Sequence, residues 1–185
     1  MSNTTTTTTN TTLDGLATGT WNIDAAHSAF GFQVRHLMVS KVKGKFDEFT
    51  ATLTVGETLE DSSVEAEVKM TSINTGVADR DNHLRTNDFF EVETYPTMTF
   101  KSTKVTETEL TGDLTIKNVT KPVTFDVEFG GVGSDPWGGT RAGFEASLEI
   151  NRKEFGVDIE MPLQGGGVVV GDKVKIILDL EFVKA

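Results

Sequence analysis

Apolar and polar residues alternate with a period of two through most of this chain. Successive side chains of a strand point to opposite faces, so each such run predicts a strand with one dry face and one wet face. The run Ser28–His36 sets Phe30, Phe32 and Val34 against Ala29, Gly31, Gln33 and Arg35, with His36 in the apolar phase. Phe46–Val55 follows with Phe49 and Leu53, and its phase slips between Phe46 and Phe49, which predicts a β-bulge. Ser63–Ile73 sets Val64, Ala66, Val68 and Met70 against Glu65, Glu67 and Lys69. Thr97–Val105 aligns Met98 with Phe100, and Glu109–Lys117 aligns Leu110, Leu114 and Ile116. Pro122–Gly130 carries Val123, Phe125, Val127 and Phe129 on one face. Arg141–Ile150 does so with Ala142, Phe144, Ala146, Leu148 and Ile150, and Asp172–Val183 with Val174, Ile176, Leu178, Leu180 and Phe182.

One stretch breaks the pattern. In ADRDNHLRTNDFFEVETYPTMTF, from Ala78 to Phe100, a short helix is expected near residues 79–88. Asp79 is placed to accept from free N–H groups as the N-cap, and Asp81 puts a second negative charge in the first turn, where the helix dipole favours it. Leu84 then faces inward, Phe89 and Phe90 fall where the helix ends, and Tyr95-Pro96 forbids its continuation. A helix that leads paired phenylalanines into a new strand reads as a plug or lid on a β structure.

The expected fold is therefore all-β, roughly eight long antiparallel strands, each apolar on one face. Long strands leave reactive edges, and closing the sheet into a barrel removes them. An eight-stranded barrel either fills its interior with side chains or encloses one small ligand. At ~3.3 Å per residue, ten-residue strands build a wall about 30 Å long, and so narrow a lumen suits a chain-like molecule. Residues 1–18 are expected to form a disordered Thr-rich tail, and residues 19–185 a single domain.

Composition narrows the chemistry. The net charge of −11 and pI near 4.7 disfavour nucleic acid as a partner and equally disfavour adsorption to anionic lipid head groups. The absence of cysteine excludes disulfides, thiolate metal sites and thiol nucleophiles. No apolar run approaches the ~20 residues of a membrane helix. A cytoplasmic location is expected if residue 1 is the native start, and a periplasmic or secreted one if a signal peptide has been removed.

Candidate polar sites are few. His27, His36 and His83 fit neither H-x-H nor H-x-x-x-H, so no metal is expected. His27 reads as part of a turn with Asp24, and His83 as an exposed or packing residue of the helix. His36 reads either as a core histidine or as a polar group meeting a ligand head such as a quinone carbonyl. Arg80, Asp81 and Arg85 read as charges bonding helix ends and loops, in preference to a phosphate-binding rim. Glu65 and Glu67 share the solvated face, no G-x-S-x-G elbow occurs, and Gly165-Gly166-Gly167 reads as a hairpin loop with no P-loop or dinucleotide fingerprint. No catalytic residue is expected.

Several motifs, in order, resemble the YceI-like family of lipocalin-like barrels that bind polyisoprenoids. TWNIDAAHSAFGFQVRHLMVSKVKGKF resembles its opening, with Asp24, His27, Ser28, Val34, His36, Val42, Gly44 and Phe46 in place. DRDNHLRTNDFFEVETYPTMTF resembles its most distinctive signature, and GDLTIKNVTKPVTFDVEF the hairpin that follows, with Asn118 where glycine is expected. NRKEFGV and GGGVVVGDKVKIILDLEF complete the match from about Thr20 to Phe182.

Alternation alone leaves a packed core and a ligand cavity both open, and the resemblance implies the cavity. It implies a long apolar pocket, a long-chain isoprenoid or isoprenoid quinone as the partner to be bound, carried or stored, frequent homodimers, and no catalysis or cofactor. The lining and gate are then expected from Phe30, Phe32, Val34, His36, Phe49, Leu53, Val68, Met70, Leu84, Phe89, Phe90, Met98, Phe100, Leu114, Ile116, Phe125, Phe144, Leu148, Ile176 and Leu178. A buried CH₂ contributes ~0.8 kcal/mol, so twenty buried carbons supply ~16 kcal/mol gross. Association and ordering remove several kcal/mol or more, which leaves submicromolar binding without a polar contact. The rival expectation is a stress-response or structural interaction protein with a filled interior.

Overall fold

The computed structural model describes residues 13–161 and 169–185, so the Gly165-Gly166-Gly167 loop and residues 1–12 of the expected tail lie outside the described residues. In chain order the strands are β1 (Gly19–Ile23), β2 (Ala29–His36), β3 (Ser40–Phe46), β4 (Phe49–Val55), β5 (Ser63–Lys69) and β6 (Ile73–Asn74). Helix α1 (Ala78–Leu84) follows, and then β7 (Thr97–Val105), β8 (Glu109–Ile116), β9 (Val119–Ser134), β10 (Thr140–Asn151) and β11 (Val170–Lys184).

These strands close into an eight-stranded antiparallel barrel, because three of its staves are each built from two strands. One edge of β11 pairs β10; the other pairs β1 at Phe182–Lys184 and β2 at Val170–Asp179. β1 and β2 are thus one stave, interrupted by a 3-10 turn at Ala25–His27 whose N-cap Asp24 accepts from the Ala26 N–H at 3.0 Å. β3 and β4 form the next stave, pairing β2 and β1 respectively, and β5 and β6 the third. From β7 to β11 each strand pairs the next in sequence.

The phase slip at Phe46–Phe49 is a break between two strands, where a bulge was expected. Its backbone is held from across the sheet, Asp47 N–H donating to Ser72 O at 3.1 Å and Lys69 N–H to Glu48 O at 3.0 Å. Such a bend lets Phe46 and Phe49 both turn inward, and Phe49 stacks on Phe30 with ring centroids 3.9 Å apart. β1 and β3 were missing from the sequence reading because their apolar positions are sparse, as in SKVKGKF.

Helix α1 starts one residue before the expected span and ends at Leu84, four residues short of it. Asp79 is not its cap: the N-cap is Val77, which makes no side-chain bond. Asp81, 7% exposed, reaches back to accept from the Thr75 N–H at 2.9 Å and ties the helix to the end of β6. After Leu84 the chain runs in successive turns, with Phe90 N–H donating to Leu84 O and Val92 N–H to Arg85 O, both at 3.1 Å.

Leu13–Leu16 forms a turn closed by a 3.0 Å bond, and Leu16 is buried against Trp21 and its neighbours. Trp21 is fully buried and donates its indole N–H to Ala17 O at 3.0 Å.

The wet face of the wall is charged, with Glu65, Glu67, Asp113, Asp126, Glu145, Glu149 and Lys175 alternating with the inward residues, unlike the apolar outer band of a membrane barrel. Among the described residues no helix is long and apolar enough to cross a membrane. Because Trp21 seals the lumen under the Leu13–Leu16 turn, Trp21→Ala is expected to destabilise the fold by ~3–5 kcal/mol. Urea unfolding checks this, and a loss below about 1 kcal/mol would show that the cap closes without it.

Candidate functional site: the apolar lumen

Two cavities are stacked in the barrel. The first, about 140 Å³, is walled by residues of β4, β5, β7–β11 and the Leu13–Leu16 turn. The second, about 130 Å³, lies toward α1 and is walled by β2, β10, β11 and the turns around Phe89 and Phe155. Phe30, Met98, Ile176 and Leu178 line both, so they form a waist between two compartments of one column. The described walls of both cavities are made almost wholly of apolar side chains, so what they can take from water is an apolar group. Methionine at the waist is the most adaptable apolar residue available for that position.

Of the expected lining, Leu53, Val68, Phe100, Leu114, Phe125 and Phe144 face the first cavity. Phe32, Val34, Leu84, Phe89, Phe90 and Ile116 face the second. Four expected residues do not line either. His36 ends β2 half-buried, opposite Ser40 and Val170 in the ladder, and is not among the residues that line either cavity. Phe49 backs the wall behind Phe30, Met70 is packed into the core at 2% exposure, and Leu148 packs in the cluster around Phe155.

Several wall residues were not singled out in the sequence. Leu13 and Leu16 sit in what reads as a polar tail, and Leu59 in the turn between β4 and β5. Among the described residues Arg152 is the one charged side chain in the wall of the second cavity. It is 6% exposed and donates to Val157 O at 2.7 Å and Gly171 O at 2.9 Å, tying the turn after β10 to the start of β11. A lone arginine straight after the Asn151 cap was its only signal.

Glycines shape the lumen at two points. A side chain at Gly44 would overlap the Phe32 ring, which lies across it from the paired strand, and one at Gly112 would overlap Phe100. Bare backbone under each ring lets it lie close to the wall and leaves the centre open.

The other polar groups are committed elsewhere. Arg80 donates to Thr75 Oγ1 and O, and Arg85 to Thr71 O, Asn82 Oδ1 and Ile73 O, so they bond loops and helix ends and line neither cavity. His83 pairs Asp88 at 2.8 Å and stands edge-on to Phe89. Asp24, His27 and Glu181 come close enough to share an ion, but the Arg141 guanidinium occupies their midst, 2.6 Å from Asp24 and 3.3 Å from Glu181. That guanidinium, and then His27, hold the Asp24 carboxyl down at about 2. What the described lumen offers is chiefly desolvation: apart from Glu107, Glu109 and a few hydroxyl side chains at the first cavity and Arg152 at the second, its wall is apolar.

A family model described as the YceI-like domain matches residues 21–182. The chain belongs to the YceI-like family. Membership makes it a lipid-binding, lipocalin-like barrel and not an enzyme. A UPF0312 protein of Staphylococcus aureus is 42% identical over 165 residues, covering 88% of this chain and 96% of that one. A crystal structure of a Campylobacter jejuni YceI protein matches at 30% identity and a TM-score of 0.68, covering 82% of this chain and 90% of that chain. A polyisoprenoid binding domain from Saccharophagus degradans shares the fold at a TM-score of 0.64 and 15% identity, covering 89% of this chain and 98% of that chain.

Gly44→Val is expected to push the Phe32 ring into the second cavity. It should weaken binding of a long-chain fluorescent fatty probe about tenfold at unchanged secondary structure, the scale of ~1.4 kcal/mol. Equal affinity would show that the ring has another resting place. The lowered Asp24 pKa adds stability that is present above its ordinary value near 3.8 and is lost as the pH falls through about 2. The stability gap between the parent protein and Asp24→Asn should therefore close between about pH 4 and pH 2 in urea titrations. A gap unchanged over that window would mean that the carboxylate charge does not matter there.

Proposed function

We propose that this barrel binds, and carries or stores, a long-chain isoprenoid or isoprenoid quinone. The observation that carries the reading is the pair of apolar cavities that share four wall residues, Phe30, Met98, Ile176 and Leu178. A branched, flexible polyprenyl tail suits an apolar interior divided in this way, and the polyisoprenoid binding domain with the same fold adds weight. The tail is held by removal from water, at ~25 cal/mol per Å² of apolar surface buried. Arg152 is the polar group that a head group in the second cavity would meet.

The segment from α1 to Phe90 is the gate in this reading. Strand β6 ends at Asn74 without pairing β7, which begins at Thr97, so between them the wall is made by α1 and the turns that follow. Leu84, Phe89 and Phe90 close the second cavity there. Side-chain and turn contacts open more readily than a strand ladder.

Purification without detergent, denaturation and mass spectrometry of the organic extract test the proposal. A stoichiometric isoprenoid or quinone is expected, and Phe144→Glu, in the wall of the first cavity, should lose it while remaining folded. An extract that stays empty after the folded protein has been offered a polyprenyl quinone would overturn the reading.

A further inference from the structure

The hairpin between β2 and β3 projects at the end of the barrel nearest α1, and it is built unlike the rest of the surface. Its tip is Leu37-Met38-Val39, with Met38 63% exposed and Val39 81% exposed. Leu37 and Met38 take φ of 51° and 61°, the left-handed region in which hairpin turns normally place Asn and Gly. Three exposed apolar side chains thus stand where solubility favours other residues, and at two of them, Leu37 and Met38, backbone geometry does so as well.

The charge around this tip is equally anomalous. From Arg35 to Lys45 the chain carries Arg35, Lys41, Lys43 and Lys45 with no carboxylate, in a protein of net charge −11. Arg35 and Lys41 lie directly opposite each other in the hairpin, an arrangement of like charges that costs stability. Among the described residues neither they nor Lys43 is in an ion pair, whereas Lys45 meets Asp47 and the nearby Lys173 meets Glu149. Ser40–Gly44 also lack a strand partner on their outer edge among the described residues, so the cations face outward along a free rim.

We infer that this hairpin docks the barrel on an anionic lipid bilayer, the apolar tip entering the interface and the cations meeting lipid phosphates. The overall acidity, which on its face argues against such membranes, instead keeps every other surface away and orients the molecule. A bilayer is favoured over a second copy of this chain because the basic rim complements lipid phosphates and the three exposed apolar side chains of the tip are far too small a patch for a stable protein interface. The tip adjoins the second cavity: Leu37 N–H donates to Val169 O at 2.9 Å, and the neighbouring Val170 and Val34 line that cavity. Docking would therefore bring the gated end of the lumen to the membrane. That last consequence rests on the lipid-carrier reading; the docking itself does not.

The test is co-sedimentation of the full chain with vesicles of phosphatidylcholine alone or with about 30% phosphatidylglycerol. Binding is expected to the anionic vesicles, much less to the neutral ones, and to fall steeply with added salt. Lys41→Gln with Lys43→Gln should weaken it about fivefold per charge removed, and Met38→Ser with Val39→Ser at least tenfold. None of these residues lines a cavity, so the organic extract of each variant should match the parent. No vesicle binding, or equal binding by the variants, overturns the docking surface whatever the extract contains. Concentration-dependent self-association that Met38→Ser abolishes, seen in sedimentation velocity without vesicles, overturns it in favour of a second copy of the chain.

Discussion

The barrel depends on how one edge of β11 is shared. That strand pairs β10 along one side and, along the other, first β2 and then β1. If either pairing failed, the sheet would open, and its period-two apolar face, which has no other element to cover it, would meet water. Closure turns the inward rows into walls of a common lumen. The same closure explains why no second layer of helices is needed and why a single short helix suffices.

The interruptions in the first three staves come at one level of the barrel. The turn at Ala25–His27, the bend at Asp47–Glu48 and the turn at Met70–Ser72 sit on neighbouring staves. Below that level the wall no longer continues from β6 to β7, and α1 with its following turns takes the place of a ladder. Above it, Trp21 and the Leu13–Leu16 turn close the other end. Among the described residues the tube thus has one end closed by buried core and one end whose closure rests on side chains, and the second end lies beside the basic hairpin.

Within the lumen, space is set by what is missing as much as by what is present. Phe32 and Phe100 would crowd the axis if they did not rest over Gly44 and Gly112. Met98 at the waist supplies adaptability, while the fixed rings above and below it supply shape. Arg152 is a structural tie whose three carbonyl partners join β10 to β11, and its presence in the wall follows from that role.

Sequence alone determined most of the long strands and the place of the helix, because alternation is a local property enforced by the geometry of a pleated chain. Phe30, Phe32, Val34, Leu114, Phe144 and Ile176 were legible on that ground alone. It misled where the backbone bends, since parity carries through a strand but not through a break: the Phe46–Phe49 slip read as a bulge. Leu13 and Leu16 were hidden because two leucines beside a threonine run carry no period. Only the tertiary structure decided which apolar residues bound free space and which fill it, as Met70 and Phe49 do. It alone showed that Arg152 enters the wall, that β6 does not pair β7, and that Arg35, Lys41 and Lys43 make no ion pair among the described residues. These depend on which distant staves meet, and that is settled by closure of the whole sheet rather than by any segment of it.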